Sequence, residues 1–229
     1  MPSQAERRAA TTAAILASAR ALFAERGFEA TSIGDIALAA GVAKGAVYHH
    51  YPTKEAIFLE VLDAVHRDVA AAEPPGDLIG VTDPVELIGA AVLHYLTTVG
   101  EPATRRILLI DGPVVIGWAR WREIDDRYFG ATARFATAAV LGPKATASEI
   151  DTAAHLLLGA VMEAALACAT AREALFKMAA QRLAIPADQL SASNGKIAAK
   201  SDVSPLPATC AVPVFPAIGN VVNGNPRSE

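Results

Sequence analysis

The chain has 229 residues, 52% of them hydrophobic but only 6% aromatic, so alanine and aliphatic side chains must do most of the packing. That length buries a sizeable core and allows one or two domains. A formal net charge of −4 argues against a protein that coats nucleic acid through bulk charge, and two distant cysteines, Cys168 and Cys210, with no CxxC pair, give neither a disulfide scaffold nor a zinc site.

The N-terminus, MPSQAERRAATTAAI, lacks a long apolar core followed by a small-residue cleavage site, so no signal peptide is read there. From Ala10 to Arg26 the residues Ile15, Leu16, Ala19, Leu22 and Phe23 form one stripe of an amphipathic helix, which Gly27 ends. Arg7 and Arg8 lie just before it; they either reach phosphate or an adjacent minor groove, or form a solvated charged terminus. Thr31 or Ser32 then caps a short second helix, with Asp35 completing a capping box three residues after Ser32. Ile33, Ile36, Ala37 and Ala40 recur at helical spacing, Gly41 supplies the left-handed turn that stops the helix, and Val42 returns to the core.

A third helix, about Ala43 to His50, is polar and aromatic where a core helix would be apolar. Lys44, Gly45, Ala46, Tyr48 and His49 give it small side chains that permit close approach to a duplex and polar groups that reach base edges or phosphates. That is the chemistry of a recognition helix in a major groove. Pro52 ends the helix, Thr53 caps the next, and Lys54 stands where that helix's N-terminus would face a phosphate. The adjacent His49 and His50 diverge by roughly 100° on a helix, so they do not chelate one metal ion together.

These residues carry a resemblance. Phe28, Thr31, Ile36, Ala37, Ala40, Gly41, Val42, Gly45, Tyr48, Tyr51, Lys54, Glu55 and Phe58 resemble the N-terminal helix-turn-helix of the TetR family of bacterial transcriptional regulators, over roughly Ala9 to Leu62. The resemblance implies that Lys44, Gly45 and Ala46 lie nearest the bases while Tyr48, His49 and Lys54 mainly contact backbone; Ser32, Ala43 and Tyr51 complete the candidate DNA-contact set. Ala43 departs from the family, which often has Ser or Thr there as cap and phosphate contact, and this weakens capping without abolishing binding. Between Met1 and Leu62 six basic residues (Arg7, Arg8, Arg20, Arg26, Lys44, Lys54) cancel six acidic ones (Glu6, Glu25, Glu29, Asp35, Glu55, Glu60). DNA affinity must therefore come from local placement, doubled in a dimer.

Beyond Lys54, Ile57, Phe58, Val61, Leu62 and Val65 continue a helix to about Ala72, and Pro74, Pro75 and Gly76 mark the first break in periodicity. Asp83 caps a helix with Pro84 at its first position, followed by Leu87, Ile88, Ala91, Val92, Tyr95, Leu96 and Val99 on one face. Thr104 to Ile110 reads as a short apolar helix, and Asp111, Gly112 and Pro113 as a turn. Val114 to Leu141 is one long helix or two broken near Gly117, closed by Gly142 and Pro143. Ser148 then caps a helix from Glu149 to about Arg172.

That helix is apolar on almost every side, through Leu156, Leu157, Leu158, Val161, Met162, Ala165 and Leu166, and must be covered on two sides. Read as a membrane span, Thr152 to Ala171 would place Glu163 in the bilayer interior, with His155 near its start, at a cost of about 2.5–3.5 kcal/mol for the acid. A buried helix of a soluble, cytoplasmic protein with no membrane partner is the reading adopted. The small residues Gly159, Ala160, Ala164 and Ala167 permit close crossing by a symmetry mate. In TetR-like proteins the last two helices of each subunit form a four-helix dimer bundle, and this helix resembles the first of that pair.

From Ser191 onward prolines 205, 207, 213, 216 and 226 alternate with Gly, Asn and Ser, a composition that predicts a disordered tail. Within it and just before it, Glu173 to Lys200 is similar to a segment of the molybdopterin-binding large subunits of the xanthine dehydrogenase and aldehyde oxidase group, with no catalytic or cofactor residue included. This implies a replaced C-terminus, and with it the alternative of an effector-insensitive or dimerisation-impaired regulator.

The stretch IDGPVVIGWARWREIDDRYF, residues 110–129, sets Trp118 and Trp121 on one helix face with Asp125 following at helical spacing. The pair either walls a ligand pocket, as in a stretch of some TetR regulators that it resembles, or packs between helices. Met162 and the polar residues His94, Tyr95, His155 and Glu163 complete the candidate pocket. Asp111, Ser148, His155 and Glu163 are residue types an enzyme would use, but no GxSxG, HExxH, Walker or dinucleotide-binding spacing joins them, so no catalytic residue is assigned. The expectation is an all-α protein: a three-helix DNA-binding domain over 9–62, a helical effector-binding and dimerisation domain over 63–185, and a flexible tail over 186–229. No metal or cofactor is expected; the partners are a double-stranded operator, a small-molecule effector and a second copy of the chain.

Overall fold

A computed structural model of the protein describes residues 3–72, 83–183, 186, 189–193, 196–199 and 212–213. The chain divides into two bodies, 1–166 and 167–229. The Pro-Gly break expected at 73–80 and prolines 205, 207, 216 and 226 lie outside the described residues.

Helix α1, Gln4–Arg26, begins earlier than its apolar stripe, because Ser3 and Glu6 form a capping box: Glu6 N–H donates to Ser3 Oγ at 3.2 Å and Ser3 N–H to Glu6 Oε2 at 2.6 Å. Arg7 and Arg8 are therefore on the helix, not in an arm before it. Helices α2 (Ile33–Ala39) and α3 (Lys44–His50) follow, joined through Gly41 at φ 67°, a left-handed backbone that glycine adopts without steric cost. Helix α4, Lys54–Ala71, starts on the Thr53 hydroxyl, which accepts from Ala56 N–H, and runs without interruption through residues 62 and 63.

Their inward faces meet in one core. Ile15, Ala19 and Phe23 of α1, Ile36 of α2, Val47 of α3 and Ile57, Phe58 and Leu62 of α4 are fully buried. Phe23, Phe28 and Phe58 pack as a triad with ring centroids 5.2–5.8 Å apart, a geometry worth about 0.5–1.5 kcal/mol per pair beyond area burial.

Helix α5, Pro84–Val99, is capped by Asp83 as expected. Helix α6, Pro102–Arg105, then leads through a π-helical turn, Arg106–Asp111, straight into α7, Gly112–Ile116. Asp111, Gly112 and Pro113 thus continue the helix where a turn was expected. The reason is hydrogen-bond register. Gly112 N–H bonds Ile107 O five residues back, and this wider turn makes room for a proline that has no N–H and would clash in a regular helix. Leu108 O is then free to accept from the Trp121 indole Nε1–H at 2.8 Å.

The break falls instead at Gly117, φ 80°. Helix α8, Trp118–Asp125, passes through a second π-helical turn, Asp126–Gly130, into α9, Ala131–Leu141, which Gly142 closes. The last helix, α10, is 37 residues long, Ala147–Leu183. Its cap is Thr146, not Ser148: the Thr146 N–H and hydroxyl both donate to Glu149 Oε2, at 2.7 and 2.8 Å. Residues 147–181 form, among the described residues, the one helix long and apolar enough to cross a membrane by length and composition.

The C-terminal body holds a feature that composition alone does not anticipate. Strand β1 (Leu190–Ser193) pairs antiparallel with β2 (Lys196–Ala199), with Leu190 opposite Ala199, and β2 pairs with β3 (Val212–Pro213). The other described elements are helices.

Candidate nucleic-acid interface and ligand cavity

Helix α3 is fixed by one buried side chain, Val47, and by a hydrogen bond at 3.0 Å between His50 Nδ1 and the Thr12 hydroxyl of α1. With those contacts facing inward, Ala43, Lys44, Gly45, Tyr48 and His49 are exposed together, and Ala46 is half-buried. A Cβ added at Gly45 would meet no protein atom within 4 Å, so its surface opens outward. Ala43 gives α3 no side-chain cap, leaving the first N–H groups of the helix without a hydroxyl partner, as its residue type implies.

Three other candidate DNA-contact residues are engaged within the fold. Ser32 caps α2, its hydroxyl accepting from Asp35 N–H at 3.1 Å and donating to Asp35 Oδ2 at 2.6 Å. Those hydrogen bonds hold the Asp35 carboxyl below its usual range. Tyr51 is buried, and its hydroxyl donates to Glu60 Oε2 at 2.8 Å; burial first, then that carboxylate, push the phenol pKa up. The Lys54 ammonium donates to Phe28 O at 2.7 Å and sits 4.0 Å above the Phe28 ring. A second anchor holds the same loop. Phe28 N–H donates to Asp111 Oδ2 at 2.9 Å, and Arg106 Nη1 donates to Glu25 O at 2.7 Å, so the end of α1 is tied to the π-helical turn before α7.

Beside α4 lies a partly open cavity of about 260 Å³ lined by α4, α5, the α8–α9 segment and α10. Val69, Ile88, Val92, Phe129, Leu157 and Val161 make its walls apolar, and His94, Tyr95, Asp125 and Thr132 bring polar groups to it. His94 donates through Nε2 to Ala72 O at 3.2 Å. Asp125 is 4% exposed; burial raises its carboxyl to about 6 against the pull of Arg122, whose Nη1 lies 3.4 Å from Oδ2, with Asp126 adding to the rise. Tyr95 packs edge-on against Phe129 at 5.3 Å, and burial, then the Asp125 charge, raise its phenol pKa.

Behind the wall formed by Tyr128 and Phe129 stands His66 of α4, fully buried. Its Nδ1 must carry the proton, because it bonds Leu62 O at 2.9 Å, and its Nε2 has no hydrogen-bond partner. The ring stacks on Tyr128 at 5.7 Å and lies 6.1 and 6.2 Å from the rings of Trp121 and Phe129. Burial lowers the His66 pKa, so the imidazole stays neutral.

A helix-turn-helix with an outward polar face, joined by α4 to helices around an apolar cavity, invites comparison with known regulators. Residues 15–61 match the model of bacterial regulatory proteins of the tetR family, and residues 85–186 match the tetracyclin repressor-like C-terminal domain. The chain belongs to the TetR family. Over 95 residues it is 32% identical to the transcriptional regulator AcrR of Shigella flexneri, covering 42% of this chain and 44% of that one. Over 65 residues it is 50% identical to the transcriptional repressor KstR2 of Rhodococcus jostii, covering 25% and 32%. These matches span less than half the length of either relative. A solved TetR-family regulator from Pectobacterium atrosepticum is 28% identical, with a TM-score of 0.56 over 74% of this chain and 86% of that one. The C-terminal-domain match reaches residue 186 and so takes in the whole of α10.

Of the seven pocket candidates in this TetR-family chain, His94, Tyr95 and Met162 line the cavity. Trp121 is fully buried with its indole on Leu108 O, and Trp118 stacks on it at 5.3 Å while remaining 52% exposed. Their helix face is the one that lines the cavity, but the cavity opens a turn further along, at Asp125, Tyr128 and Phe129. His155 and Glu163 are exposed on α10, away from the cavity side. Asp125 is the polar wall residue that spacing pointed toward without singling it out: an acid four residues after Trp121 on an otherwise apolar face. Among the described residues, no group of three or more His, Cys, Asp or Glu side chains gathers as a metal site.

Proposed function

We propose that this chain is a cytoplasmic transcriptional regulator, a repressor in the first instance, that binds a palindromic operator as a homodimer and leaves it when a small molecule fills the cavity beside α4. The observation that carries the reading is the exposed face of α3: Lys44, Gly45, Tyr48 and His49 point outward from a helix anchored by Val47. Small residues, a cation and an aromatic hydroxyl together suit a major groove. The similarity to AcrR, a transcriptional regulator, and to KstR2, a transcriptional repressor, supports it.

Pairing of two copies is supported by α10, which exposes Leu156 at 70% although its sequence is apolar on nearly every side. A Cβ at Gly159 would meet nothing within 4 Å, so a second helix has room to approach closely. Two α3 helices in a dimer read half-sites about one DNA turn apart. Coupling to the cavity runs through α4. A ligand that displaces Tyr128 and Phe129 moves the rings packed on His66, and the same helix carries Lys54, which holds the loop before α2. An operator-binding state and a ligand-filled state with different reading-head separation satisfy linkage.

A gel shift with duplex DNA flanking the protein's own gene tests the reading. The wild type is expected to give a complex containing two copies, its mass read by light scattering, and Lys44→Ala and Tyr48→Ala each to weaken it. Equal binding by all three proteins overturns α3 as the reading helix.

A further inference from the structure

The chemistry of the cavity narrows its occupant, an inference that rests on the effector-binding reading above. Among the described residues lining it, one carries a formal charge, Asp125, and none is a lysine or arginine. A carboxylic acid, a phosphate or a thioester conjugate of a nucleotide would bring a second negative charge into an apolar space that already holds one, with no cation in the wall to receive it. A cation fares little better, because Arg122 already lies 3.4 Å from Asp125 Oδ2 and an ammonium would have to shed its water to join an existing pair.

A neutral hydroxyl meets neither obstacle. Its O–H donates to the Asp125 carboxylate, an acceptor-only group with lone pairs beyond those facing Arg122, and its oxygen accepts from the hydroxyl of Tyr95, a second cavity-lining residue, on α5. At about 260 Å³ the space exceeds the ~150 Å³ that holds a benzene ring and suits a molecule of roughly ten to fifteen non-hydrogen atoms. We propose that the effector is a compact, uncharged, largely apolar molecule bearing a hydroxyl, an aromatic or alicyclic alcohol, read by Asp125 and Tyr95.

Calorimetry on the full chain with 2-naphthol, naphthalene, 2-naphthoate and 2-naphthylmethylamine tests this without DNA present. Naphthol is expected to bind at least about tenfold tighter than the other three, because a hydrogen bond to a buried charge is worth roughly tenfold to a hundredfold. Asp125→Asn and Tyr95→Phe are each expected to weaken naphthol while leaving naphthalene unchanged, which shows that the cavity survives the substitution. Naphthoate or the amine binding as tightly as naphthol overturns the assignment, as does unchanged naphthol affinity in both variants or no heat from any probe up to about 1 mM. Naphthol binding that follows the expected pattern but leaves a DNA complex intact supports the assignment and sinks only the effector reading it rests on.

Discussion

Asp125 and His66 are both buried beside the same aromatic wall, and they respond to pH in opposite directions. The Asp125 carboxyl is raised from 3.8 to about 6 in the folded chain, so the folded state holds its proton more tightly than the unfolded state and stability falls as pH rises through that window. The charge costs up to roughly 3 kcal/mol at neutral pH. His66 is lowered from 6.5 by burial, so its contribution is complete above pH 6.5 and is lost as the pH falls below that value. Thermal unfolding between pH 7.5 and 5 separates them. Relative to wild type, Asp125→Asn is expected to be more stable at pH 7.5 and to lose that advantage toward pH 5, while His66→Gln gains on wild type as the pH falls; parallel curves for all three proteins contradict the assigned shifts. Neither role is visible from residue spacing. An acid at helical spacing from Trp121 reads equally as a wet-face charge, and only the packing of α5 and α10 over α8 makes it a cavity group. Tyr51 and Lys54 show the converse: their types suit DNA, but Glu60 and Phe28 O, brought close by the fold, claim their polar ends.

At the scale of elements, capping and periodicity were legible where the determinants are local. Ser32 with Asp35, Gly41, Thr53 and Asp83 each act as their residue types imply. The segment 106–116 was not, because a Gly-Pro pair reads as a stop unless the preceding turn widens, and the carbonyl that this widening frees, Leu108 O, is taken by Trp121 from a separate helix. Gly112 makes this approach possible: a Cβ there would lie 2.8 Å from Trp121 Cδ1 and 2.9 Å from Nε1. Gly112→Ala must therefore displace the indole, at a cost of roughly 1–3 kcal/mol. Tryptophan fluorescence shifted to the red with a lowered unfolding midpoint is the expected result; an unchanged spectrum and midpoint would show that the indole is not locked against this turn. Since the same π-helical turn ends at Asp111, which holds Phe28 N–H, a strain placed here reaches the reading head through a defined hydrogen bond.

For the whole molecule, the division of labour follows from where charge and apolar surface are left over. The first 62 residues carry no net charge, so one copy's hold on DNA rests on a few placed groups, which the proposed pairing through α10 would double. The outward polar face of α3 was legible because it breaks the apolar pattern around it; the cavity was not, because its walls come from four helices separated by up to about ninety residues. In the proposed complex α3 enters the major groove with Gly45 at the closest approach. Gly45→Leu tests it most directly. The new side chain meets no protein atom near its Cβ and replaces a poor helix former with a good one, a gain of up to about 1 kcal/mol in stability. Fluorescence anisotropy with a labelled operator duplex, run beside thermal unfolding, is predicted to show a midpoint equal to or above wild type and DNA affinity at least about tenfold weaker. Wild-type affinity in a fully folded Gly45→Leu protein would place the DNA away from this face of α3.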